Sequence, residues 1–318
     1  MCMALNPKKV IRKLMENQTS IENFEIVAFY YLEKNRPVFF ALFFFIYLIG
    51  LLGNIIIIIT VITDVSLHKP MYIFLTNSSS VDIIFTSSTL PKLMDILLTG
   101  NNSISFVECF AQMCLYTFAA CTEDMLLSFM AYDRYVAICK PLYYHMIMNR
   151  RNYMLVLVSI WISTAVDSLF LTLTIYQMNI CHSNKIQQFF CELKAFDRIL
   201  CNSTKLHLII VAEVIIGLIL FLLSLISYIK IISLVLSISS TTGQKKAFST
   251  CTSHLTVLGM FYGAGMCMYL KPPSEQLEEQ DLVLSTLFSA VTPMLNPIMY
   301  SLRNEEVKLS IKKIITLK

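Results

Sequence analysis

MAYDRYVAICKPLYYH, residues 130–145, closes a long apolar run that opens near Phe106. Asp133 and Arg134, followed by Tyr135, place a pair of opposite charges at the end of a hydrophobic helix. Cys109 stands 25 residues before Arg134. At roughly 1.5 Å per residue that is about 37 Å, enough to cross a bilayer core of about 30 Å with some tilt. A cysteine therefore marks one face of a membrane and an Asp–Arg pair marks the other. Taken singly, Arg134 reads more readily as a positive anchor at the interface.

The rest of the chain extends that reading. With 318 residues, 56% of them hydrophobic and 14% charged, and a mean hydropathy of +0.66, it is too apolar for an ordinary soluble globule. Apolar runs predict seven spans near 37–62, 70–98, 106–139, 152–175, 204–236, 247–270 and 282–302. The expected organisation is an outer segment 1–36, a bundle over 37–302 and a tail over 303–318, with no second domain. The residues before Pro37 are charged and show no cleavage-site pattern, so the first span is expected to serve as the insertion signal. An odd number of spans puts the termini on opposite sides.

Orientation follows from two signals. Asn17-Gln18-Thr19 is a glycosylation acceptor, which favours an extracellular N-terminus. Loops on the Arg134 side, with the tail, carry 11 basic residues against 5 on the other side, which keeps Arg134 in the cytoplasm. The N-terminal segment disagrees, because it holds Lys8, Lys9, Arg12, Lys13, Lys34 and Arg36. Past the last span, Asn304 is expected to cap a short helix. Val307, Ile311, Ile314 and Ile315 fall on one face and Lys308, Lys312 and Lys313 on the other, a pattern that suits anionic lipid.

Charges inside the spans need a reason, since each costs a few kcal/mol or more at the bilayer centre. Asp82 lies 12 residues into the second span and Glu123 lies 11 residues before Arg134, which are depths of about 18 Å and about 16 Å from the cytoplasmic side. Two carboxylates at matching depth repel, so either one holds a proton or a cation sits between them. Four of the ten cysteines, Cys109, Cys181, Cys191 and Cys201, fall at or beyond the outer face. They suggest two disulfides with three possible pairings, and their wide spacing is unlike a metal cluster. Cys139 and Cys251 lie near the reducing side and read as free thiols. A transporter or ion channel would use the buried acids as an ion path, yet no inverted repeat or matched pair of broken helices is present. A hydrolase lacks any Ser/His or HExxH arrangement, so no enzyme is expected.

Further motifs occur in order: Gly53-Asn54, LHKPMYIFL at 67–75 leading to Ser79 and Asp82, Ser227-Tyr228, KAFSTCTSHL at 246–255, FYGAG at 261–265 and PMLNPIMYSLRN at 293–304. Together with MAYDRYVAIC they resemble the odorant-receptor branch of the rhodopsin-like G-protein-coupled receptors, over residues 15–316. Tyr262, where most rhodopsin-like receptors carry Trp, matches that branch. Ser78 departs from it, standing where Leu is usual. Gly263 and Gly265 are expected to allow close helix packing.

The resemblance implies an all-α membrane protein, a seven-transmembrane bundle with a short amphipathic cytoplasmic helix after the seventh span. It implies a natural start at Met15, with residues 1–14 as an upstream extension, and the disulfides Cys109–Cys191 and Cys181–Cys201. Asp133, Arg134, Tyr135, Tyr228, Asn296, Pro297 and Tyr300 are the expected coupling and activation residues. Asp82, Glu123 and Asn296 match a cation cluster that would hold sodium; no other cofactor is expected. The ligand pocket should lie in the outer half between the third, fifth and sixth helices. Its expected lining is Met113, Tyr116, Thr117, Ala120 and Cys121, then Ile209, Ile210 and Glu213, then Tyr262 and Tyr269. Tyr116 occupies the level where amine receptors place an Asp, which disfavours an amine. The expected partners are a small hydrophobic odorant, a heterotrimeric G protein of the Gs type that raises cyclic AMP, and the bilayer of the plasma membrane. No nucleic acid is expected.

Overall fold

The computed structural model describes residues 22–27, 35–181, 183–237, 241–269, 278–303 and 305–316. Asn17 and Asn304 lie outside the described residues. Helix α1, Arg36–Thr63, carries Pro37 in its first turn, where the fixed φ suits a helix and the missing N–H is not needed. Helix α2, Pro70–Thr99, opens the same way and stops at Gly100, whose φ of 76° is left-handed. Helix α3, Phe106–Cys139, starts from a reciprocal cap in which Ser105 and Glu108 satisfy each other's backbone N–H. The remaining long helices are α4 (Arg150–Tyr176), α5 (Thr204–Ser237) and α6 (Thr241–Tyr269). Helix α7 runs from Glu278–Thr286 through a π turn at Leu287–Val291 into Thr292–Arg303. Helix α8, Glu305–Thr316, follows.

Each span read from the sequence coincides with a helix, most ends to within a few residues and the sixth beginning six residues earlier than expected, and the fold is a seven-transmembrane bundle. Helix α1, helix α4, helix α5 and Leu282–Ser301 of α7 are each long and apolar enough to cross a membrane on composition alone. Their outward faces carry a continuous apolar belt, for example Leu42, Phe45, Ile49, Leu52, Ile56 and Ile59 on α1. Such a surface is tolerable only against lipid. Helices α2 and α3 are less apolar because they occupy the centre. They bury Ser78, Ser79, Asp82, Thr86 and Thr89 on α2, and Gln112, Thr117, Thr122, Glu123 and Asp133 on α3.

Two features depart from the expectations. Residues 1–36 show no periodicity, yet Asn23–Ile26 forms a strand, β1. It pairs antiparallel with β2 (Ser103–Ser105) and parallel with β3 (Lys185–Ile186), so the order is β2-β1-β3. Phe24 is buried beneath this cap, stacked on Phe106 and edge-on to Phe196. A four-residue strand is too short to show a pattern, and only its partners define it. The second departure concerns glycine. A Cβ at Gly263 would meet nothing within 4 Å and one at Gly265 only an ordinary contact with Phe288. Close approach is found instead in α1, where Gly50 and Gly53 face Met294 and Pro297 of α7.

On the cytoplasmic side α8 docks on the first loop. Ser310 donates to Asp64 Oδ2 at 2.7 Å and Lys69 pairs with Glu306 at 2.6 Å. Hydrogen bonds from Ser66 and Ser310 hold the Asp64 carboxyl down at about 2, so it is charged at physiological pH. Val307 is buried and Ile311 partly buried, while Lys312 and Lys313 are exposed. The side chains of Ile314 and Ile315 lie outside the described residues.

Candidate functional site

A partly open cavity lies between α3, α5, α6 and α7. Helix α3 supplies Tyr116, Thr117, Ala120, Cys121 and Asp124 at spacings that keep them on one face. Helix α5 supplies Ile210, Glu213, Val214, Gly217 and Leu218, and α6 supplies Phe261, Tyr262, Gly265 and Met266. Phe288 enters from the π turn of α7, a local widening often found at functional sites. Leu193 closes the outer side.

Most of the residues expected in the lining are there, with three exceptions. Met113 is fully buried in the outer apolar cluster around Phe24, Phe110 and Phe196, one turn above the cavity. Ile209 packs on that same cluster, as does Ile210, but of the two only Ile210 also reaches the cavity, beside Glu213. The side chain of Tyr269 lies outside the described residues. Helical spacing alone did not reveal where the cap ends and the cavity begins.

Asp124 is the notable omission from the sequence reading. It lies 8 residues below Tyr116 on the same helix, about 12 Å deeper. Tyr116 does hold the upper level, but the cavity continues down to Asp124, whose Oδ1 accepts the Tyr262 hydroxyl. The Cys121 thiol stands between two further carboxylates, 3.8 Å from Glu213 and 3.9 Å from Asp167. The signal that could have found Asp124 is its position one residue after Glu123, with the helical offset of three from Cys121.

Below the cavity Asp82, Glu123 and Asn296 are buried together. The Asn296 amide donates to both Asp82 oxygens at 3.1 and 3.0 Å. Ser78, the departure noted above, donates to Glu123 Oε1 at 2.8 Å. Among the described residues, nothing donates a hydrogen bond to the buried acceptors Glu123 Oε2 and Asn296 Oδ1. Oxygen acceptors of this kind fit a hard cation. Pro297 packs on Gly53, and Tyr300 is buried. Asn54 ties α1 to α7 by donating to the Pro293 carbonyl at 3.2 Å.

At the cytoplasmic end Arg134 binds Asp133 through two nitrogens at 2.6 and 3.1 Å, and Asp133 is fully buried. Tyr144 donates to the other Asp133 oxygen at 2.9 Å. Burial pushes the Tyr144 hydroxyl up, so it remains a donor. Tyr228 of α5 meets His254 Nδ1 of α6 at 2.6 Å. Tyr135 is partly buried against the core, its ring 5.5 Å from the Lys230 ammonium. Tyr144 and His254 lie within quoted motifs, but no spacing rule announced their partners.

On the outer side Cys109 is bonded to Cys191 and Cys181 to Cys201. The Cys191 N–H donates to Gln112 Oε1 at 2.8 Å, and Gln112 donates to the Ser88 carbonyl. Phe189 and Phe190 are thereby held inside the bundle, with the Phe190 ring 4.6 Å from that of Tyr116.

This architecture, a seven-helix membrane bundle with an outer cavity above a polar core and a cytoplasmic ion pair, is that of a membrane receptor. A family model described as Olfactory receptor matches residues 43–318. Olfactory receptor 1G1 of gorilla is 39% identical over 302 residues, covering 94% of this chain and 96% of that relative. Human olfactory receptor 13F1 is 41% identical over 301 residues, 94% of each chain. The dog olfactory receptor-like protein OLF4 is 40% identical over 296 residues, 92% and 96%. The chain belongs to the olfactory receptor family, and so is a G-protein-coupled receptor that detects odorants.

Proposed function

We propose that this receptor sits in the plasma membrane with its N-terminus outside, binds a small, mostly apolar volatile molecule in the outer cavity, and activates a Gs-type G protein to raise cyclic AMP. Residues 37–302 form the receptor proper. The observation that carries this reading is the Tyr262–Asp124 hydrogen bond at the cavity wall. It joins α3 to α6, so a molecule in the cavity touches the helix whose cytoplasmic half holds His254 against Tyr228. An agonist that favours a different α3–α6 arrangement shifts the population towards a state with the cytoplasmic ends apart. The Asp133–Arg134 pair holds the closed state, and its release presents Arg134 to the G protein. Sodium bound by Asp82, Glu123 and Asn296 would supply a positive charge that stabilises the closed core.

Arg134→Ala is expected to abolish the cyclic-AMP response to an odorant that activates the wild type, at unchanged surface level. The measurement is a cyclic-AMP reporter assay with surface labelling. Full signalling by the variant at equal surface density would remove Arg134 from this role.

A further inference from the structure

We infer that the odorant of this receptor carries a protonated amine on an apolar body, with its ammonium held by Asp124 and Glu213. The inference rests on the outer cavity being the odorant site. Two observations meet there. The first is the cavity itself, whose walls are otherwise mostly apolar or aromatic, with Val214, Leu218, Phe261, Phe288, Tyr116 and Tyr262 among them. The second is charge. Asp124 and Glu213 both line the cavity, and Asp167 stands just behind Cys121. Among the described residues no Lys, Arg or His forms an ion pair with any of these three.

Carboxylates in a low-dielectric wall are costly unless they take up a proton or a countercharge meets them. Helices α3, α4 and α5 each contribute one acid here, and among the described residues only a hydroxyl and a thiol are hydrogen-bonded to them. A ligand ammonium supplies what is missing, donating hydrogen bonds to carboxylate oxygens with aromatic faces close by. Space for it exists beside Asp124. Gly217 lines the cavity beside that carboxylate, and a Cβ there would reach ordinary contact with Asp124 Oδ2 at 3.5 Å, so the missing side chain leaves the carboxylate open to the cavity. A bare metal ion is the other source of positive charge, using Cys121, Asp167 and Glu213. It would leave the apolar walls and Asp124 unused, whereas an alkylamine engages both.

The test uses full-length receptor purified in lipid nanodiscs at neutral pH, with hexylamine and hexan-1-ol as length-matched probes. Affinities are read from the thermal midpoint against probe concentration, and ZnCl2 and a panel of neutral odorants form separate arms. Hexylamine is expected to bind about tenfold or more tightly than hexan-1-ol, the scale of a charge-assisted hydrogen bond. Asp124→Asn and Glu213→Gln should each collapse that ratio, and the ratio within one variant is insensitive to a general loss of stability. Equal affinities in the wild type, or a ratio that survives both substitutions, overturn the inference. So does stabilisation by ZnCl2 that Cys121→Ser removes while hexylamine has no effect. Binding of neutral odorants with hexylamine inert overturns the amine while leaving the cavity as the odorant site. Failure of every probe removes the cavity reading together with the inference.

Discussion

Glu123 shows how one side chain acquires a meaning that its letter does not carry. Its Oε1 takes a hydrogen bond from Ser78, while its Oε2 is buried without one among the described residues. A buried acceptor left bare costs about 1–3 kcal/mol, more when charged, so it needs a cation or a proton. If sodium is the answer, the ion stabilises whichever conformation closes around it. The thermal midpoint of purified receptor should then rise with NaCl but not with choline chloride. Glu123→Gln should lose most of that rise while hexan-1-ol affinity changes little. Absence of a sodium-specific rise in the wild type would make Asp82 and Glu123 a proton-sharing pair instead.

Helix α7 owes its position to what α1 lacks. A Cβ at Gly53 would stand 2.9 Å from Pro297 Cγ and 3.1 Å from its Cβ, and a proline ring cannot rotate away. Gly50 meets the Met294 backbone in the same groove, and the Asn54 amide completes the join at the Pro293 carbonyl. Between these contacts and the π turn, α7 delivers Asn296 to Asp82 and Phe288 to the cavity. Overpacking a well-filled contact costs about 1–3 kcal/mol. Gly53→Ala is therefore expected to lower the thermal midpoint and reduce surface expression. Gly259→Ala, where an added Cβ meets nothing within 4 Å, should be close to neutral. Equal effects from the two substitutions would mean that the α1–α7 approach is not tight.

The molecule is closed on its outer side by a loop that folds back into the bundle. The Cys109–Cys191 bond spans 82 residues and the Cys181–Cys201 bond spans 20. Between them they hold Phe189, Phe190 and Leu193 over the cavity, and the β2-β1-β3 sheet lies above. Loss of a disulfide in a closed domain costs about 2–5 kcal/mol. Cys109→Ser and Cys191→Ser should each strongly reduce surface delivery measured by cell-surface labelling. The double variant should be no worse than either single one, because bonded partners act as one unit. Additive losses would contradict a shared bond.

Seven spans, most of their ends to within a few residues, and the motif order were set by the sequence alone. The bilayer imposes a length and an apolarity on every crossing segment, and both are local properties. The polar core was legible for a related reason. Asp82 and Glu123 stand out because charge is rare at that depth, and equal distances along two helices place them level. Tertiary structure decided the rest. Whether Met113 or Asp124 faces the cavity depends on where the outer cap ends and how α5 and α6 lean, and neither is written in a single helix. Strand β1 exists only through partners about 80 and 160 residues away. The link from Tyr262 to Asp124, 138 residues apart, is likewise a product of packing. Periodicity names a face of a helix, and only the neighbouring helices decide what that face meets.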